Sequence, residues 1–234
     1  MRTGRLHQIA TFCLRNAGLL HLQYAGYYYR AGTKDRRIVN TDLDLADAAL
    51  AAYSNPATVE TARVHAYITQ PAGGQIIALR GTNPKNLIDL ALDAEMIKLR
   101  NDPIFGPCTD VAMTNAEQLI WRLWPLLQDP FDITGHSKAA IEAQALAAIL
   151  KHMGRAPRRL VVFAPPQLGD LGGYLSDIPG VAYRHGEDPV TDFPVNRGRP
   201  QSLLGLPWVG HTPLDKLDYH AMQGYVDAVR LRLN

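Results

Sequence analysis

The chain has 234 residues, of which 47% are hydrophobic and 20% charged, with 19 Gly and 16 Pro. That profile excludes collagen-like, disordered and coiled-coil classes and predicts one folded soluble domain spanning 1–234, long enough to bury roughly 70 to 75% of the surface its unfolded chain exposes. The 24 Lys plus Arg against 22 Asp plus Glu come in short scattered pairs such as Arg36-Arg37 and Arg158-Arg159, without interleaved aromatics, which argues against a nucleic-acid partner.

In chain order, the apolar stretch Ile9 to Leu20 is cut by Arg15 and Asn16 and lacks a clean cleavage site. A Sec-type signal peptide and a transmembrane span are therefore not expected, and residues 1–40 read as a helical extension packed on the domain. The default location is the cytoplasm; export by a route that needs no such signal gives the same sequence. Cys13 and Cys108 allow one disulfide at most and read as free thiols.

Asp44 to Tyr53 is rich in Ala and Leu and predicts a helix ended by Ser54-Asn55-Pro56. Arg63 to Thr69 and Gln75 to Leu79 are strand-like runs joined by a Pro- and Gly-bearing turn, a hairpin. Apolar periodicity predicts helices over Asn86 to Leu99 and Val111 to Leu127, the second kinked or ended near Pro125. A short strand, Phe131 to Thr134, then turns through Gly135 into an Ala-rich helix from Ser137 to about Met153. Leu160 to Ala164 suits a strand covered on both faces, Val181 to His185 is another strand, and a helix from about Pro213 to Leu233 closes the chain. Alternating strands and helices give an α/β class with a largely parallel sheet behind an antiparallel start.

The strand, sharp turn and helix around Gly135-His136-Ser137-Lys138-Ala139 are the context of a nucleophile elbow. Small residues are needed two before and two after the serine, so that strand and helix can approach; Gly135 and Ala139 qualify. The turn puts Ser137 at a helix N-terminus, where free N–H groups favour a developing negative charge. The competing reading is an ordinary serine N-cap.

A serine hydroxyl attacks only if a base takes its proton and an acid orients that base. In the order Ser, Asp, His, the sequence offers Asp188, in the loop after a strand, and His220, near the last helix. Arg80-Gly81-Thr82 leaves the earlier strand and offers the N–H and hydroxyl of Thr82 to an oxyanion; the N–H of Lys138 would be the other donor.

Taken together, these segments resemble the class 3 lipase family of α/β-hydrolases from about Asp44 onward. Ala78-Leu79-Arg80-Gly81-Thr82 with Asn86-Leu87-Ile88-Asp89-Leu90, Ile133-Thr134-Gly135-His136-Ser137, Phe163-Ala164-Pro165-Pro166-Gln167-Leu168-Gly169-Asp170 and Glu187-Asp188-Pro189-Val190 are similar to that family's motifs and keep their order. The resemblance implies an α/β-hydrolase fold with a mostly parallel central sheet flanked by helices. It also implies Ser137 as nucleophile, Asp188 as orienting acid, His220 as base, and Thr82 with Lys138 as oxyanion hole. Lys138 and Ala139 stand where the family commonly has Leu-Gly, and its Val-His-x-Gly-Phe segment is not visible around Ile104 to Val111. His211 is the rival base and Asp192 the rival acid.

The expected activity is cleavage of carboxylic esters, of lipids or phospholipids, through an acyl-enzyme, with transient contact to a membrane surface. Phospholipase, triacylglycerol lipase and small-molecule esterase stay open, and a non-catalytic binding module on the same fold is the competing class. No phosphate loop, dinucleotide fingerprint or metal-ligand spacing occurs among the eight His and two Cys, so no cofactor is expected.

Overall fold

The computed structural model describes residues 39–82, 98–166, 171–192, 203–206 and 216–233. The expected N-terminal extension falls almost wholly outside them, as do Cys13, His211 and nearly all of the helix expected over Asn86 to Leu99.

Helix α1 (Asp42–Ser54) begins with a capping box: the Thr41 hydroxyl accepts from the Asp44 N–H at 3.2 Å while the Asp44 carboxylate accepts from the Thr41 N–H at 2.6 Å. A two-residue strand β1 (Val59–Glu60) leads into the hairpin β2 (His65–Thr69) and β3 (Gln75–Leu79), which is antiparallel as its turn predicts. A second hairpin, β4 (Leu99–Asp102) and β5 (Gly106–Thr109), was not visible in the sequence, and Leu99 is in a strand where helical periodicity had placed it at a helix end. Helix α2 (Asp110–Leu123) passes at Trp124–Leu126 into a 3-10 turn, because Pro125 has no N–H to continue the α ladder.

The parallel part follows as β6 (Phe131–His136), α3 (Lys138–His152), β7 (Arg159–Phe163), the short α4 (Gly172–Leu175), β8 (Gly180–His185) and β9 (Leu203–Leu206). The chain ends in a 3-10 turn, Lys216–His220, and α5 (Met222–Leu233), so the last helix starts later than periodicity suggested. The sheet runs β1-β2-β3-β6-β7-β8-β9; β1, β2 and β3 pair antiparallel, and β3, β6, β7, β8 and β9 pair parallel.

Both faces of this sheet are covered, which is why its central strands read as unbroken apolar runs. Ile77, Leu79 and Ile133 face a core shared with Leu119, Leu123, Leu146 and Leu150 of α2 and α3. Ile76, Ala78, Val161 and Phe163 face Leu45, Ala49, Tyr225 and Val229 of α1 and α5. The parallel sheet with helices on both sides is the α/β-hydrolase architecture expected from the sequence, and it brings the carboxyl ends of β3, β6 and β8 to one edge. Loops at that edge are where active-site groups converge.

Candidate active site

The site is built on the exit of β6. Ser137 is buried and held at φ 62°, ψ −130°, a conformation that costs a non-glycine residue on the order of 1–3 kcal/mol. Its N–H donates to the Phe163 carbonyl at 3.0 Å and its own carbonyl accepts from Ala140 at 2.9 Å, so neighbouring strand and helix hold the bend in place. Gly135 is required for close approach: a Cβ there would lie 2.4 Å from the Ala139 carbonyl oxygen. Ser137 does sit at the N-cap position of α3, but its side chain makes no capping hydrogen bond. Its Oγ is buried and, among the described residues, has no hydrogen-bond partner.

Asp188 follows β8 through a turn in which Gly186 takes φ 52°, a left-handed conformation open to glycine at no steric cost. The carboxylate is fully buried and accepts from the Val190 N–H at 2.9 Å and the Tyr225 hydroxyl at 2.7 Å. His220 Nδ1 lies 2.8 Å from Asp188 Oδ2 and 3.0 Å from Oδ1. Burial alone would raise the Asp188 pKa, but the hydrogen bond and charge of His220, with the donors Tyr225 and Val190, hold it below the ordinary carboxylate value. An ionised carboxylate can only accept, so Nδ1 of His220 carries the proton and Nε2 of the neutral ring offers a lone pair. That Nε2 is buried and, like Ser137 Oγ, has no hydrogen-bond partner among the described residues.

The structure thus joins Asp188 to His220 directly and brings His220 to the elbow: the rings of His220 and His136, the residue before Ser137, lie 4.6 Å apart and are tilted by 34°. Asp192 is elsewhere engaged, its two carboxylate oxygens 3.1 and 2.9 Å from the Arg184 guanidinium. Thr82 is half-buried two residues past Arg80, where β3 leaves the sheet, and Lys138 is the first residue of α3. The Lys138 ammonium lies 3.2 Å from buried Glu142, which also accepts from Asn115 at 2.7 Å. Burial pushes the Glu142 pKa up, against the pull of Lys138 and Asn115. Among the described residues no group of three or more His, Cys, Asp or Glu could hold a metal ion, and no helix is long and apolar enough to cross a membrane. Cys108 is a free, buried thiol whose pKa burial pushes up to about 11, which keeps it protonated.

Three contacting residues escaped the sequence reading: His136, Tyr53 and Tyr225. His136 is buried against His220, and its pKa is lowered to about 3, by burial first and by the charge of His220 second. It therefore stays neutral where an imidazolium at His220 would have to form, and adds no opposing charge. Because unfolding restores an ordinary histidine, the unfolded chain binds one more proton than the folded one between pH 6.5 and about 3. Stability is accordingly full above pH 6.5 and falls as the pH drops toward 3, at up to about 1.4 kcal/mol per unit for this group. His185, lowered by burial, slopes the same way. Chemical denaturation across this range tests the point: His136→Asn is expected to flatten the slope by about one proton, and an unchanged slope would contradict it.

No protein-family model matches the sequence, and no curated protein matches it. Solved structures do. The lipase of Rhizopus microsporus var. chinensis aligns at a TM-score of 0.58 and 14% identity over 82% of this chain and 85% of its own. MDLA of Penicillium cyclopium aligns at 0.52 and 14% identity over 73% of this chain and 78% of its own. A triacylglycerol lipase whose catalytic centre is formed by a serine-protease triad aligns at 0.50 and 12% identity over 66% of this chain and 64% of its own. The chain therefore has the α/β-hydrolase fold in the form seen in class 3 lipases.

Proposed function

We propose that this chain is a serine hydrolase that cleaves carboxylic esters, of lipids or phospholipids, with Ser137 as nucleophile, His220 as base and Asp188 as the acid that orients it. The observation that carries this reading is the polarity of the chain of contacts: Asp188 fixes the proton on His220 Nδ1, while the opposite ring nitrogen stays unpaired next to a strained elbow whose serine hydroxyl is also unpaired. Buried polar atoms are normally hydrogen-bonded, and a bare one is costly unless a substrate uses it. The lipases that share the fold support an ester substrate.

In the reaction, Ser137 Oγ attacks the ester carbonyl as its proton passes to His220 Nε2. The backbone N–H groups of Thr82 and Lys138 hold the negative oxygen, Lys138 with the added field of the α3 N-terminus. The imidazolium, stabilised by Asp188, then protonates the leaving alcohol. Water repeats the sequence on the acyl-enzyme and frees Ser137. A lipid substrate requires the mouth of the site to contact a membrane or droplet surface transiently.

The test is turnover of p-nitrophenyl butyrate by the purified full chain, together with release of fatty acid from vesicles of phosphatidylcholine and from emulsified triacylglycerol. Ester hydrolysis is expected, and the two lipid assays rank the substrate classes. A well-folded chain that turns over none of the three contradicts the proposal and favours the binding module.

A further inference from the structure

Tyr53 lies outside the reaction just described, yet it touches both sides of the site. It sits in the last turn of α1, and its hydroxyl is 2.8 Å from His136 Nδ1, with the two rings edge to face and 5.9 Å between centroids. On its other side the same oxygen packs against Gly81. The fit is tight: a Cβ on Gly81 would lie 2.4 Å from the Tyr53 hydroxyl oxygen and 2.5 Å from the His136 carbonyl oxygen. The phenol is therefore wedged where β3 and β6 diverge.

That place matters because the parallel ladder ends there. The last paired residues of β3 and β6 are Leu79 and Gly135. Beyond them, Thr82 continues from one strand and Lys138 from the other, and these are the two proposed oxyanion donors.

We propose that Tyr53 is a positioning residue for the oxyanion site: by wedging one hydroxyl, bonded to His136, against Gly81, it sets the spacing between the Thr82 and Lys138 donors. This inference rests on the ester-hydrolase reading above. A neutral phenol suits this place, its O–H facing the neutral His136 ring at Nδ1. Burial raises the Tyr53 pKa above its ordinary value and so keeps the proton in place.

The two donors must meet an oxygen that carries a full negative charge only in the tetrahedral transition state. A misplacement of their spacing therefore falls on kcat, and the ground-state carbonyl feels it far less. Errors near 1 Å in such geometry cost up to about a hundredfold.

The experiment uses Tyr53→Phe in the full chain, which keeps the ring and removes the hydroxyl, assayed on p-nitrophenyl butyrate well below its thermal midpoint. The expected result is a kcat lowered about ten- to a hundredfold with KM within about twofold of wild type. Affinity for butylboronic acid, which forms a tetrahedral adduct on the serine, is expected to fall by the same factor as kcat/KM. Gly81→Ala drives a methyl group against both that hydroxyl and the His136 carbonyl and is expected to lower kcat through the same loop, while a circular-dichroism spectrum and thermal midpoint of Tyr53→Phe matching wild type show that its loss is not one of folding. A kcat for Tyr53→Phe within twofold of wild type overturns it, as does a lowered kcat with boronate affinity unchanged. A wild-type chain that neither turns over ester nor binds boronate overturns the hydrolase reading itself, and this inference with it.

Discussion

Replacing Ser137 by alanine is expected to abolish ester turnover, with a fall in kcat of at least about 10⁴-fold, while leaving the protein as stable as before or more so. The two halves of this expectation come from the same atom. As nucleophile, Oγ forms the bond on which the acyl-enzyme depends. As a structural group it is a burden, because it is buried without a hydrogen-bond partner. An unsatisfied buried polar group costs about 1–3 kcal/mol, so removing it raises the thermal midpoint or leaves it unchanged. Paired measurement of kcat and Tm separates this from a folding defect. A Ser137→Ala chain that keeps more than a few per cent of wild-type activity would refute the assignment of the nucleophile.

Asp188→Asn is expected to lower kcat by about 10³- to 10⁴-fold, with a smaller change in KM. The substitution is nearly isosteric, but the carboxylate now accepts from three sides, His220, Val190 and Tyr225, and an amide offers one oxygen and a donating nitrogen. If the amide nitrogen faces His220, the ring must accept at Nδ1 and carry its proton on Nε2, the nitrogen that has to take the proton of Ser137. The charge that stabilises the imidazolium is lost as well. The pH dependence of folding follows from the same group: a depressed carboxylate pKa contributes stability that is fully present above the ordinary value of 3.8 and is lost as the pH falls through the folded-state pKa. Asp192→Asn is the informative control. It removes the partner of Arg184 and is expected to change kcat less than about threefold, since that carboxylate points into an ion pair of its own. A larger loss in Asp192→Asn than in Asp188→Asn would exchange the two roles.

Much of this architecture could be read from local sequence. The α1 stretch, the β2-β3 hairpin, the elbow and the continuous apolar run of β7 each carry a periodicity or a turn residue that acts over a few positions. The elements that escaped have no such pattern. The strand β1 has two residues and exists only through its pairing with β2. The β4-β5 hairpin contains Arg100, Asn101 and Asp102 on one side and Gly106 and Pro107 on the other, with no alternation of apolar residues to announce it. It is held by its own ladder, by the ion pairs of Arg100 with Asp102 and Glu117, and by Phe105 and Cys108 buried in the core.

The site shows the same division. Ser137 was legible because the constraint on it is local: a small residue on either side and a strand turning straight into a helix. Asp188 and His220 could be ranked by order and context, and the structure places them in contact although 32 residues separate them. Tyr53 and Tyr225 could not be found this way. Each occupies a helix position that periodicity assigns to the core, and each spends its hydroxyl on a partner far along the chain, 83 residues away for Tyr53 and 37 for Tyr225. What makes them part of the site is the packing of α1 and α5 on the same face of the sheet.

Activation of Ser137 by His220 is open to covalent labelling. The purified chain is treated with a fluorophosphonate, digested, and the modified peptide mapped by mass spectrometry. A single adduct on Ser137 is expected in wild type and none when His220 is replaced by alanine. A folded wild-type chain that takes no label, or takes it on another residue, would contradict it.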